Sequence, residues 1–274
     1  MDQQQKKIPF WKHIEELRKH VIHCLFAILI SMVFLMKNKE IIFDNIIFGP
    51  AKKDFITYRF FKSLTNSFFG KDDHIYFNNL EIQNRKIFGQ FNIYVSTCFI
   101  GGIILSFPYI IYELWLFIKP ALYHEEKKYS VLILIIAMFL FISGVLFGYF
   151  LLFPFLIHFG YSFRISDFPK NIFDLSDYIS LITHSSLSMG IIFLFPFFIY
   201  FLTRMDLITY SFLKKYRKHA FLIILIIASA ITPGDILSTI VVFIPLLFLY
   251  QCGVFISFYA KSSYSSVSKK NKTS

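Results

Sequence analysis

Two adjacent pairs of carboxylates, Glu15-Glu16 and Glu125-Glu126, sit in basic surroundings next to long runs without charge. The first pair lies in Phe10-Trp11-Lys12-His13-Ile14-Glu15-Glu16-Leu17-Arg18-Lys19 and the second in Pro120-Ala121-Leu122-Tyr123-His124-Glu125-Glu126-Lys127-Lys128. A carboxylate so placed needs a cation, either from its own chain or from outside it. A guanidinium is the best match, because it stays charged and pairs with a carboxylate through two parallel hydrogen bonds. The plainer reading is that these acids are solvated and only balance nearby Lys and Arg.

Other chemistry-bearing residues are scarce. Glu113 stands at the inner end of the second apolar run. His23, His158 and His184 are scattered and read as packing or interfacial histidines before haem ligands. Cys24, Cys98 and Cys252 share no short spacing, so they read as small buried hydrophobes. His184-Ser185-Ser186 is the best foothold for an intramembrane enzyme, yet such a triplet is more often a helix-packing patch. There is no nucleophile–base pair, no metal-ligand spacing and no phosphate loop. The expectation is a protein with no catalytic chemistry and no cofactor. Gly101-Gly102 reads as a close helix contact.

The elements that position these residues follow from composition. Hydrophobic residues make up 56% of the 274-residue chain and charged residues 16%, too little charge to cover a soluble surface. Charge-free runs must lie in lipid, where only a helix satisfies the backbone. They are Val21–Met36, Phe91–Tyr112, Tyr129 to about Phe155, Tyr178–Leu202, Ala220–Ile231 and Ile236–Tyr259. Pro154, His158 and Gly160 are expected to end the third. A crossing needs about 20 residues, so the first is somewhat short. The fifth is shorter still, because Thr232-Pro233-Gly234-Asp235 breaks it. A re-entrant hairpin is its alternative to a short crossing helix. The fold class is thus all-α, polytopic, with six transmembrane helices. Residues 1–20 form an amphipathic N-terminal segment, 21–259 the membrane domain, and 260–274 a disordered basic tail.

Lys and Arg set the direction. With both termini inside, residues 1–20, 118–128, 203–219 and 260–274 hold 17 basic and 6 acidic residues, against 11 and 10 for residues 37–90, 156–177 and 232–235. N-in/C-in is therefore expected. The net charge of +11 then belongs beside anionic lipids and calls for no nucleic acid.

In this order the motifs resemble a known family. His13-x-x-Glu16-Leu17-Arg18, Pro120-Ala121-Leu122-Tyr123-x-x-Glu126 and Thr232-Pro233-x-Asp235-x-x-Ser238 are similar to signatures of TatC, the multispanning receptor of the twin-arginine protein translocase, and Pro50 matches a family proline. The resemblance spans about residues 10 to 259 and implies a plan with short fifth and sixth helices. It implies a receptor in the bacterial cytoplasmic membrane that binds twin-arginine signal peptides at its cytoplasmic face. Glu16 and Glu126 would receive the two guanidiniums, Phe117, Leu122 and Tyr123 would line the patch, and Arg18 would orient the acids. Pro50 and Asp235 would be structural, Asp235 as a helix cap. The implied partners are single-span subunits of the TatA/TatB type and further copies of the chain, with the proton-motive force as energy source.

Three positions depart from the pattern. Leu194 and Gln251 stand where relatives often carry acids, and Thr239 where they often carry Gln. Ser188, Gly190 and Gln251 are expected to offer single-span partners a surface on the fourth and sixth spans. A secondary transporter is the alternative; it would need an internal repeat and a midplane polar site, and neither is visible.

Overall fold

The computed structural model describes residues 10–52, 55–59, 80–118, 130–163, 166, 171–204, 207–231 and 236–270. Helix α1 spans Phe10–Lys37 without a break, so the interfacial segment and the first apolar run form one rod. A π-turn at Ile41–Ile47 and a 3-10 turn at Gly49–Ala51 follow. Helix α2 is Gly89–Ile118. Helix α3, Ser130–Phe147, passes through a π-turn at Gly148–Leu152 into α4, Phe153–Ser162. Helices α5, Leu175–Phe193, and α6, Phe195–Arg204, are separated only at Leu194. Helices α7, Tyr210–Lys215, α8, Arg217–Ile231, and α9, Ile236–Lys270, complete the chain.

Among the described residues, four helical stretches are long and apolar enough to cross a membrane: Ile14–Lys37, Gly89–Phe117, Val131–Ser162 and Leu175–Thr203. Shorter apolar segments follow in α8 and at Val242–Phe258. The first span is longer than its charge-free run, because a helix admits Glu and Arg at the depth where they can reach water. At about 1.5 Å per residue, α8 covers roughly 22 Å.

The structure corrects two sequence expectations. Pro154 does not end the third helix. The π-turn just before it absorbs the missing backbone donor, a usual way for a helix to carry proline, and the helix continues to Ser162. At the C-terminus, α9 runs to Lys270, into the segment expected to be disordered. Extending an existing helix costs far less than nucleating one, and neither Ser nor Lys is a strong breaker.

Packing joins neighbours in antiparallel pairs. Tyr94 at the start of α2 donates to Met36 O at the end of α1 (2.7 Å), while His20 and Glu113 meet at the other end. Helices α1 and α2 approach closely at Gly101-Gly102, as expected: a Cβ at Gly102 would lie 3.1 Å from Ile28 O. Helices α3 and α5 are closer still. A Cβ at Gly144 would lie 2.5 Å from Met189 O, one at Gly148 2.7 Å from Ser185 O, and one at Gly190 2.9 Å from the Phe141 ring. Gly190 is therefore spent inside the chain on the α3–α5 contact and is not available to a partner. Ser185 and Ser186 belong to the same contact, and both hydroxyls donate to Ile182 O. Leu194 is buried among Phe107, Phe141 and Leu134.

The end of the bundle holding the termini of α1 and α4 and the starts of α2 and α5 is closed by a platform of residues 42–52 and 55–58. Tyr58 donates to Pro50 O (3.0 Å), Tyr149 to Ile46 O (2.7 Å) and Tyr178 to Ile47 O (3.0 Å). Pro50 is buried there. Burial pushes the Tyr58 phenol far above its usual range, so it stays a donor. Two parallel strands, β1 at Ile82–Gln83 and β2 at Phe173–Asp174, tie this platform to the start of α5, with Ile82 opposite Phe173.

Candidate functional site

The opposite end carries the buried acid. Glu113 lies four residues from the last described side chain of α2 and is 4% exposed. A carboxylate at that depth must be hydrogen-bonded. Tyr109, one turn earlier, donates to Oε1 at 2.6 Å, and His20 Nδ1 lies 2.5 Å from Oε2. His23 Nδ1 is 3.4 Å from Oε1. The two imidazoles come from α1 at i and i+3, hence from one face. The Phe117 ring packs edge-on against His20 at 6.0 Å between centroids.

Glu16 lies one turn before His20 on α1. Both are half-buried, whereas Leu17, Arg18 and Lys19 between them are exposed. The face of α1 carrying Glu16, His20 and Cys24 is therefore the face turned toward α2. Arg18 is two residues from Glu16, on a different side of the helix, and among the described residues no ion pair joins them. Of the residues singled out by sequence, Glu16 and Phe117 fall on this end together. Pro50 lies at the other end. Gln251 is exposed on α9 between exposed Phe248 and Phe255. Leu122, Tyr123, Glu126 and Asp235 lie outside the described residues.

His20 is the residue that sequence reasoning missed. Its signal was present: a lone acid in a span demands a partner, and His20-x-x-His23 has helical spacing. His184 is exposed, away from this end, and the three cysteines are free. The side-chain donors of His20, His23 and Glu113 all lie within 4.8 Å of one another, close enough to hold a cation.

Comparison with known proteins gives a consistent answer. The family described as "Sec-independent protein translocase protein (TatC)" matches residues 12–245. A protein of Blattabacterium sp. subsp. Periplaneta americana, "Sec-independent protein translocase protein TatC", is 69% identical over 261 residues, covering 94% of this chain and 98% of that one. One of the same description from Carboxydothermus hydrogenoformans is 29% identical over 97% of this chain and 99% of its own length. The solved structure "Crystal Structure of Twin Arginine Translocase Receptor- TatC in DDM" superposes with a TM-score of 0.72 at 26% identity, over 89% of this chain and 99% of that chain.

Proposed function

The chain belongs to the TatC family of protein translocase components, and from that premise we propose that it is the receptor subunit that binds twin-arginine signal peptides. The observation that carries the reading is the position of Glu16. It is half-buried on the face of α1 turned toward α2, at the end of the bundle where Phe117 also lies. A carboxylate at a membrane edge attracts a guanidinium more strongly than one in bulk water, because the dielectric is lower. Glu126, carried by the family motif, is the second acceptor, with Leu122 and Tyr123 beside it.

In this reading the end bearing Glu16 and Glu113 faces the cytoplasm and the tyrosine-closed end faces outward, with six helices crossing the bacterial cytoplasmic membrane. The excess of Lys and Arg on residues 1–20, 118–128, 203–219 and 260–274 supports that direction. Gln251 serves single-span partners of the TatA/TatB type: an exposed amide between two exposed Phe at membrane depth gains from a hydrogen bond to another helix. Asp235 caps the sixth helix. Further copies of the chain and anionic lipids complete the assembly. Labelling a cysteine at Ser263 from outside intact cells would refute this direction.

The decisive measurement is binding of a twin-arginine signal peptide to the purified chain, beside the same peptide with Lys-Lys. Glu16→Ala and Glu126→Ala should each weaken binding roughly tenfold to a hundredfold, the worth of a charge-assisted hydrogen bond of about 1.5–3 kcal/mol. Glu125→Ala should do much less. Equal binding of the Lys-Lys peptide would overturn the assignment.

A further inference from the structure

We propose that His20, His23 and Glu113 form a binding site for one divalent metal ion of the zinc class, bridging α1 and α2. Two imidazoles and one carboxylate are a donor set that zinc takes readily, with a fourth position left for water. Both imidazoles present Nδ1 to the same carboxylate, one to each oxygen: His20 to Oε2 at 2.5 Å and His23 to Oε1 at 3.4 Å.

Satisfying a buried acid explains only part of this arrangement. Glu113 already has one strong partner on each oxygen, Tyr109 on Oε1 and His20 on Oε2. His23 adds a second imidazole nitrogen at a distance longer than a good hydrogen bond. A side chain 57% exposed is free to turn elsewhere. An ion supplies what the hydrogen-bond network does not, a common centre for both nitrogens and the carboxylate.

Donors bonded to one ion at about 2.0–2.2 Å lie no more than about 4.4 Å apart. The three here lie within 4.8 Å of one another, so small side-chain rotations admit an ion, and the exposed flank of His23 is its path. Tyr109 then plays the part of an outer-shell donor, orienting the ligating carboxylate. Gly101-Gly102 holds α1 against α2, so the two helices offering the donors are fixed before any ion arrives.

The test uses the full chain purified without a histidine tag, titrated with Zn2+ by calorimetry and with Co2+ by visible absorption. One Zn2+ per chain is expected, with Co2+ bands of a four- or five-coordinate ion. Glu113→Gln and His23→Gln should each weaken binding tenfold or more, as should Tyr109→Phe to a lesser degree. Zn2+ should raise the thermal midpoint of the wild type but not that of His23→Gln, an exposed change that leaves the fold intact. Undiminished binding in His23→Gln would place the ion elsewhere among the eight histidines and overturn the proposal. So would a wild type that binds no Zn2+ below millimolar concentration.

Discussion

The two ends of this helix bundle solve the same problem, polar groups at the edge of an apolar mass, in opposite ways. At the end closed by residues 42–52 and 55–58, loop carbonyls are the groups in need, and neutral phenols from Tyr58, Tyr149 and Tyr178 meet them. These hydrogen bonds join neutral groups, and the rings stack among themselves: Phe48 lies over Tyr178 at 5.9 Å and Phe153 meets it edge-on at 5.2 Å. At the other end an ionisable acid is buried on purpose, and titratable imidazoles surround it. The first arrangement fixes a shape. The second keeps charge available at membrane depth, which is costly unless it is used. On the proposed function, stability and signal-peptide binding would reside at opposite ends of the bundle, and substitutions should reveal the split.

The largest effect should come from Gly148→Leu, beside the closed end. Even a Cβ there would lie 2.7 Å from Ser185 O and from Ser186 Cα, both backbone atoms that cannot yield. Overpacking of a core costs about 1–3 kcal/mol when side chains can adjust, and here they cannot. Folded, monodisperse protein should be lost, read by size-exclusion profile. A normal yield would mean that α3 and α5 are not locked as described.

Next is Tyr178→Phe. It removes one hydroxyl and leaves Ile47 O buried without its donor, at about 1–3 kcal/mol. The thermal midpoint should fall while discrimination between Arg-Arg and Lys-Lys signal peptides is unchanged. Glu16→Ala should show the mirror image, with weakened peptide binding and an unchanged midpoint. If both variants lose stability alone, the two ends do not differ in role.

The sequence made the helices legible and the pairings between them much less so. Charge-free runs mark lipid-embedded helix without any knowledge of neighbours, which is why α2, α5 and α9 begin near their expected starts. The passage of the third helix through Pro154 was hidden, because a π-turn five residues long is a local rearrangement with no compositional mark. The role of Gly190 was misjudged for a related reason. A small residue signals a close approach but not which helix approaches, and α3 takes the place expected for a partner. His20 was hidden by distance: it meets Glu113 across 93 residues of chain, and no local pattern encodes that meeting. Glu16 and Phe117 were found through family motifs, and the structure adds that they share one end.

The smallest effect concerns one carboxyl at the closed end. Asp174 is the N-cap of α5 and accepts from Ser176 N at 2.8 Å. That backbone hydrogen bond, helped by Lys86 and a backbone bond from Arg85 and opposed by some loss of solvent, holds its carboxyl below the usual range. A carboxyl whose folded pKa is depressed contributes stability above its unfolded value, near 3.9, and loses it as pH falls through the folded value. Acidification below about pH 4 should therefore lower the thermal midpoint in part through this cap. Asn caps a helix about as well as Asp but does not titrate in this range. Asp174→Asn should leave the midpoint near neutrality almost unchanged and flatten its decline in acid. The same decline in both proteins would assign it to other carboxyls and would remove this cap from the acid sensitivity of the fold.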